Sequence, residues 1–154
     1  MNRPADKATK ELLRNKKAFH DFRILERLEA GIALRGTEVK SCRARNLSFA
    51  DSFVRFADGE AVLVNLHISP YESGNRFNHE PRRPRRLLLH KREIRQLAQA
   101  VKEQGGTVIP LAIYLKAGRI KVEIGLAKGK TKGDRRHDLR RREDERETRR
   151  AVRR

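Results

Sequence analysis

The chain has one cysteine, Cys42, and no tryptophan. A single thiol can form neither an internal disulfide nor a multi-thiolate metal cluster, and it suits a reducing compartment. Two Tyr and six Phe make aromatics scarce, which argues against a broad base-stacking platform and for contacts through phosphates and shape if the partner is a nucleic acid. No apolar run is long enough to cross a bilayer, and the opening MNRPADKATKELLRNKK lacks the apolar stretch of a secretory signal. A cytoplasmic location with no membrane partner is expected. Catalytic signatures are also thin. There is no Walker A sequence, and GLAKGK at 125–130 has the wrong glycine pattern for one. His67, His79 and His90, with Glu72 and Glu80, lack metal-ligand spacing, so loop and cap roles are expected, with no catalytic residue, metal or other cofactor. Cys42 has no evident catalytic partner and reads as a buried thiol.

Positive charge is what the chain has in excess: 38 Lys and Arg against 20 Asp and Glu, a formal net charge of +18. Such a surface calls for a polyanionic partner. The 154 residues, 37% of them hydrophobic, allow one domain and a tail but no second core. Val, Ile and Leu concentrate between positions 21 and 127. The expected organisation is therefore a flexible basic arm over 1–17, a core over 18–128 and a basic tail over 129–154.

Periodicity places the elements. Phe22, Ile24, Leu28, Ala30, Ile32 and Leu34 fall on even positions, with Glu26 the exception; this two-residue period predicts a long strand, bent or bulged at Gly31. Gly36 ends the alternation, and Thr37 is placed to cap a short helix with Glu38 in its first turn and Val39 and Cys42 on its inner face. Residues 52–56 and 61–66 flank Asp58-Gly59, a hairpin signal. Pro70, Gly74, Pro81 and Pro84 make 68–86 the main loop. Ile94, Leu97, Ala98 and Val101 recur at helical spacing within 90–104, and Gly105-Gly106 stops that helix. A second hairpin joins 108–116 to 119–127 through Ala117-Gly118, with Leu111, Ile113 and Leu115 alternating in its first strand. Several strands against one long helix predict a mainly β fold, an antiparallel barrel with peripheral helices and a basic C-terminal tail.

Two segments gather the charge. Arg82-Arg83-Pro84-Arg85-Arg86 precedes Leu87-Leu88-Leu89, a basic loop beside an apolar anchor. Guanidinium forks contact phosphates and displace counterions, so binding here is expected to depend on salt. Residues 128–154 hold 13 Lys and Arg against six Asp and Glu, among them Lys128, Lys130, Lys132, Arg140, Arg141 and Arg142. Asp138 with Arg142, Arg141 with Glu145 and Glu145 with Arg149 stand four apart, which supports a helix by roughly 0.2–0.5 kcal/mol per pair. That is too little to fold it alone. The tail reads as disordered when free and helical against a polyanion, with a permanently disordered solubility tail as the alternative.

Six stretches stand in order: His20-Asp21, Glu29-Ala30-Gly31-Ile32, Gly36-Thr37-Glu38-Val39-Lys40-Ser41, His67-Ile68-Ser69-Pro70-Tyr71-Glu72, Gly74-Asn75-Arg76-Phe77-Asn78-His79 and Leu87-Leu88-Leu89-His90-Lys91-Arg92-Glu93-Ile94. Through them the chain resembles the SsrA-binding family, the small proteins B of bacterial trans-translation, over the core and the start of the tail. The resemblance implies an oligonucleotide-binding-type barrel. It also implies a noncatalytic adaptor that binds the tRNA-like part of transfer-messenger RNA and delivers it to stalled ribosomes for peptide tagging. Glu38, Lys40, Asn75, Arg76, Asn78, Arg83, Arg85 and Arg86 would be RNA contacts or supports, joined by Lys91 and Arg92. The tail, through Gly129-Lys130 and Asp134-Arg135-Arg136, would enter the vacant messenger channel at the small-subunit decoding centre, with His137 as the substitute for the side chain that Gly133 lacks. Gly133 stands where relatives commonly carry Tyr or His, and 44–50 departs from a usual Gly-containing pattern. The main alternative is a general structured-RNA chaperone or ribosome-associated basic protein; a metal-dependent nuclease using the His and Glu residues is a weaker one.

Overall fold

The alternating segments pair as their period requires. The computed structural model describes residues 9–71 and 78–130, with Arg140, Glu143 and Arg146. Its elements run β1 (Lys10–Arg14), α1 (Lys16–Asp21), β2 (Phe22–Ile32), α2 (Gly36–Arg43), β3 (Leu47–Ala57), β4 (Glu60–Ile68), β5 (Arg85–Leu88), α3 (Lys91–Gln104), β6 (Thr107–Lys116) and β7 (Arg119–Gly129). Every strand pairing is antiparallel. The ring β6-β3-β4-β5-β2-β7 closes through β6–β7, and β1 lies outside it on β6. This is the expected mainly β barrel of oligonucleotide-binding type with peripheral helices. Closure gives each strand of the ring a neighbour on both sides, and the stretch of β6 that β3 leaves open is taken by β1.

Both hairpins turn where the sequence marks them. Asp58 and Gly59 have φ of 52° and 74°, and Ala117 and Gly118 have φ of 51° and 78°. Positive φ at both central residues matches the right-handed twist of the flanking strands. Helix α3 is capped by His90, whose amide donates to Glu93 Oε1 at 3.0 Å, and stops at Gly105 in the left-handed region. Its Ile94 and Leu97 are buried in the main core with Leu63, Leu66 and Ile68 of β4 and Val122, Ile124 and Leu126 of β7.

Four expectations change. Lys10–Arg14, assigned with the flexible arm, forms a strand on β6. Asn15 fastens the following turn: its Nδ2 donates to the Pro110 carbonyl at 2.8 Å, and its Oδ1 accepts from the Ala18 amide. Strand β2 bulges between Ile24 and Glu26, whereas Gly31 keeps regular register. The bulge turns Phe22 and Ile24 toward a second cluster of Ala18, Ile109, Leu111 and Ala127, while Leu25 and Leu28 pack on the main core. Gly31 is required for closeness instead, since a Cβ there would lie 3.1 Å from Leu88 Cβ. Strand β6 likewise bulges between Pro110 and Ala112, so Leu111 joins the second cluster and Ile113 the first. Finally, Arg35 and not Thr37 caps α2, its amide donating to Glu38 Oε1 at 2.7 Å. Val39 is half-buried and Cys42 fully buried on that helix. Among the described residues no helix is long and apolar enough to cross a membrane.

Candidate nucleic-acid interface

Strand β5 carries two arginines in succession, and a two-residue period sends them opposite ways. Arg85 points in and has no exposed surface; Arg86 points out. An interior guanidinium must find a charge and several acceptors. Arg85 finds Glu38, also without exposed surface, at 2.5 Å from Nε to Oε2. Its Nη1 donates to the Leu66 carbonyl at 2.6 Å and its Nη2 to the Pro81 carbonyl at 3.0 Å. Glu38 also accepts from both Nη2 and Nε of Arg83, which is about a quarter exposed. One carboxylate therefore joins α2, β5 and the loop before β5.

Burial pushes the Glu38 carboxyl up. Hydrogen bonds from Arg83, the Arg35 amide and Arg85, with the charge of Arg85, outweigh that and hold it below the ordinary carboxylate value. Burial likewise lowers Arg85 against the opposing pull of Glu38. The neighbouring Cys42 thiol is pushed up to about 12, first by burial and further by Glu38, against a downward pull from Arg85. It is thus protonated and inert at neutral pH.

Side chains from the loop complete this support. His79 is buried, with Nε2 2.8 Å from the Ile68 carbonyl and Nδ1 2.9 Å from the Thr37 hydroxyl. The carbonyl can only accept, so Nε2 is the donor to Ile68, while the Thr37 hydroxyl can serve Nδ1 in either direction. Asn78 clasps Tyr71 from both sides, its Nδ2 donating to the Tyr71 carbonyl and its Oδ1 accepting the Tyr71 amide at 3.1 Å. Tyr71 in turn lies under Lys40, whose Nζ is 5.3 Å from the ring centroid.

Outside this framework runs a groove of about 620 Å³ between β5, the start of α3, β2 and the β3–β4 turn. Arg86, Lys91 and Lys121 line it together with the carboxylates Glu29, Glu60 and Glu93 and with Leu88, which is 51% exposed. Arg86 has Glu60 at 3.6 Å, both more than half exposed, a pairing too solvated to hold the guanidinium against a phosphate. Glu29 at the groove wall accepts a hydrogen bond from the Tyr114 hydroxyl and has Lys116 Nζ at 3.5 Å.

The residues singled out from sequence therefore separate. Lys40, Arg86, Lys91 and Arg92 are exposed, Arg83 is partly so, and Asn78 is tied to Tyr71. Arg85 and Glu38, expected as contacts or supports, have no exposed surface, which fits the supporting role and not direct contact. Asn75 and Arg76 lie outside the described residues, as do Lys132, Gly133, Asp134, Arg135, Arg136, His137, Arg141 and Arg142. Lys128 is exposed at the end of β7, Lys130 follows that strand, and Arg140 is exposed. Sequence reasoning missed Lys121 and Glu29 at the groove. Both enter through register, since Gly31 pairs with Leu88 on one side and Lys121 on the other, and local patterns do not carry that information.

Comparison with known proteins follows the same outline. Residues 12–154 match the family described as SmpB protein. The "SsrA-binding protein" of Carboxydothermus hydrogenoformans is 54% identical over 94% of this chain and 97% of its own length. That of Desulforudis audaxviator is 55% identical over 94% of each. A solved structure described as "tmRNA-SmpB: a journey to the center of the bacterial ribosome" superposes with a TM-score of 0.66 at 51% identity, covering 84% of this chain and 94% of that one.

Proposed function

The chain belongs to the SmpB protein family, and from this we infer that it serves trans-translation as a noncatalytic RNA-binding adaptor. It joins the tRNA-like part of transfer-messenger RNA to stalled ribosomes. The observation that carries the reading is similarity across barrel and tail together, because an adaptor needs one surface for each partner. Peptide transfer and tagging belong to the ribosome; this protein supplies placement.

The geometry suits that work. A folded RNA elbow presents phosphates and 2′-hydroxyls, which are read by shape and charge. The groove offers Arg86, Lys91 and Lys121 on three different elements, beside Leu88 for apolar contact. The buried Glu38–Arg85 pair and the Asn78–Tyr71 clasp fix the loop and helix that carry Lys40 and Arg83. Binding then orders few side chains, which lowers its entropic cost. In this proposal residues 129–154 extend to the decoding centre and messenger channel, with Lys130, Arg135, Arg136 and Arg140 toward ribosomal RNA.

Competition between transfer-messenger RNA and unrelated structured RNAs, at near-physiological salt, tests the assignment. Selective retention of transfer-messenger RNA is expected. Equal displacement by any structured RNA would instead make the protein a general RNA chaperone.

A further inference from the structure

Resting on the adaptor reading, we propose that a second cavity, between α1, β3 and β6, receives one extruded nucleobase of ribosomal RNA. Its volume is about 390 Å³, and Phe22, Asp51, Ser52, Phe53 and Ile109 are among its walls. That size accepts a planar heterocycle with part of its sugar and is too small for a helix or strand. The cavity and the groove beside β5 have no lining residue in common.

Three features select a base. Phe53 is 37% exposed, and among the described residues it shares that status as a large exposed apolar side chain only with Leu88. A flat aromatic on the wall of a cationic protein is a stacking surface for any base. Ser52 is 7% exposed, and its Oγ is buried without a hydrogen-bond partner among the described residues. An unsatisfied hydroxyl favours a ligand that satisfies it, and Ser52 is among the residues of the cavity wall. The Asp51 carboxylate is exposed and has no ion pair among the described residues. A carboxylate repels phosphate but accepts N–H groups. Guanine presents two parallel donors, N1–H and N2–H; adenine and cytosine present one amino group each, and uracil a single imino group. The site therefore ranks guanine first and uracil last. Asn15, also at the wall, is already committed to Pro110 and Ala18 and does not contribute.

Position assigns the source. Asp21 and Phe22 line the cavity, and the Lys130 amide donates to the Asp21 carbonyl at 3.0 Å. The cavity thus sits at the root of the C-terminal segment, on the side the proposal gives to the ribosome, while the groove takes the tRNA-like RNA.

The test titrates the full chain with GMP and with UMP while following backbone amide shifts by NMR. Shifts are expected at 15–22, 51–53 and 107–109, with GMP acting at several-fold lower concentration than UMP. Phe53→Ala should weaken GMP by roughly 10-fold or more, Phe53→Trp should retain it, and Asp51→Asn should erase the preference over UMP. Ser52→Ala should weaken GMP without lowering the melting temperature, because its hydroxyl has no hydrogen-bond partner among the described residues. Phe53→Ala should also reduce association with purified small subunits and leave affinity for the tRNA-like fragment within about twofold. Absence of shifts at these amides, or shifts confined to Arg86 and Lys91, would overturn the pocket. Loss of tRNA-like affinity with subunit binding intact would overturn the ribosomal source. Both results are separable from failure of the adaptor reading, which the competition assay reports.

Discussion

Replacing Glu38 with Ala should be among the most damaging single changes in this protein. The substitution leaves the wholly buried Arg85 guanidinium without its counterion and releases Arg83 from two hydrogen bonds. Removing one partner of a buried pair costs about 3–5 kcal/mol, against a total stability on the order of 5–15 kcal/mol for a domain. The expected fall in melting temperature is therefore roughly 10 °C or more. Glu38→Gln keeps the shape but loses the charge and turns an amide donor toward a guanidinium, so it should fall nearly as far. A double variant, Glu38→Met with Arg85→Met, removes both charges together and should recover much of the loss, because apolar replacement of an entire buried pair is often neutral or better. Urea denaturation followed by circular dichroism measures all three. The pH dependence carries a second signature. The folded-state carboxyl lies below its ordinary value, so its contribution is complete above about pH 4–5, the unfolded range, and fades as pH falls through the folded value. Parent stability should drop in acid more steeply than that of the double variant. A Glu38→Ala protein melting within about 2 °C of the parent would refute the keystone role.

Further outcomes separate contact from support. Arg86→Ala with Lys91→Ala should leave stability within about 0.5 kcal/mol per site yet weaken tRNA-like RNA, reducing the slope of log affinity against log salt by roughly 0.7–0.9 for each lost phosphate contact; an unchanged slope would remove both from the interface. Arg85→Lys should do the reverse, lowering stability first, since an ammonium cannot span Glu38, Leu66 and Pro81 at once. Ending the chain before Gly129 should spare much of the affinity for the isolated RNA and impair tagging of a stalled peptide in a reconstituted system; full tagging would reject the role given to the tail. Cys42, buried with its thiol pushed up to about 12, should resist iodoacetamide at pH 7 in the folded chain and react at the rate of unfolding.

Much of the barrel is legible in the sequence because local signals decide it. The Asp58-Gly59 turn, the helical spacing of Ile94, Leu97 and Val101, and the Gly105 stop all sit where the structure has them. The misreadings arise where a distant strand overrides local period. Each bulge, at Ile24/Glu26 and at Pro110/Ala112, exists to serve two apolar clusters on opposite sides of the sheet. A single-face reading of alternation cannot see a second cluster. Leu12 has too few apolar neighbours to announce a strand, and it becomes buried only because β6 has an unfilled edge beside β3.

The arginine run shows why charge counts alone overstate an interface. Arg82, Arg83, Arg85 and Arg86 look equivalent in sequence, but pairing with β4 divides Arg85 from Arg86 by strand parity, and Arg82 and Arg83 stay in the loop before β5. One becomes part of the core, one is shared between carboxylate and solvent, and the outermost face the groove or water. A buried Arg–carboxylate pair is seldom the most stable filling for that volume, so its value here is geometric. A planar guanidinium with acceptors on Glu38, Leu66 and Pro81 allows one arrangement of α2, β4 and the loop before β5, where an apolar side chain would tolerate several. If that account is right, the double Met variant should be stable and still bind transfer-messenger RNA less selectively than the parent, because the loop bearing Arg83 would no longer be held to one position. Parent-like selectivity in that variant would mean that the pair contributes to folding alone.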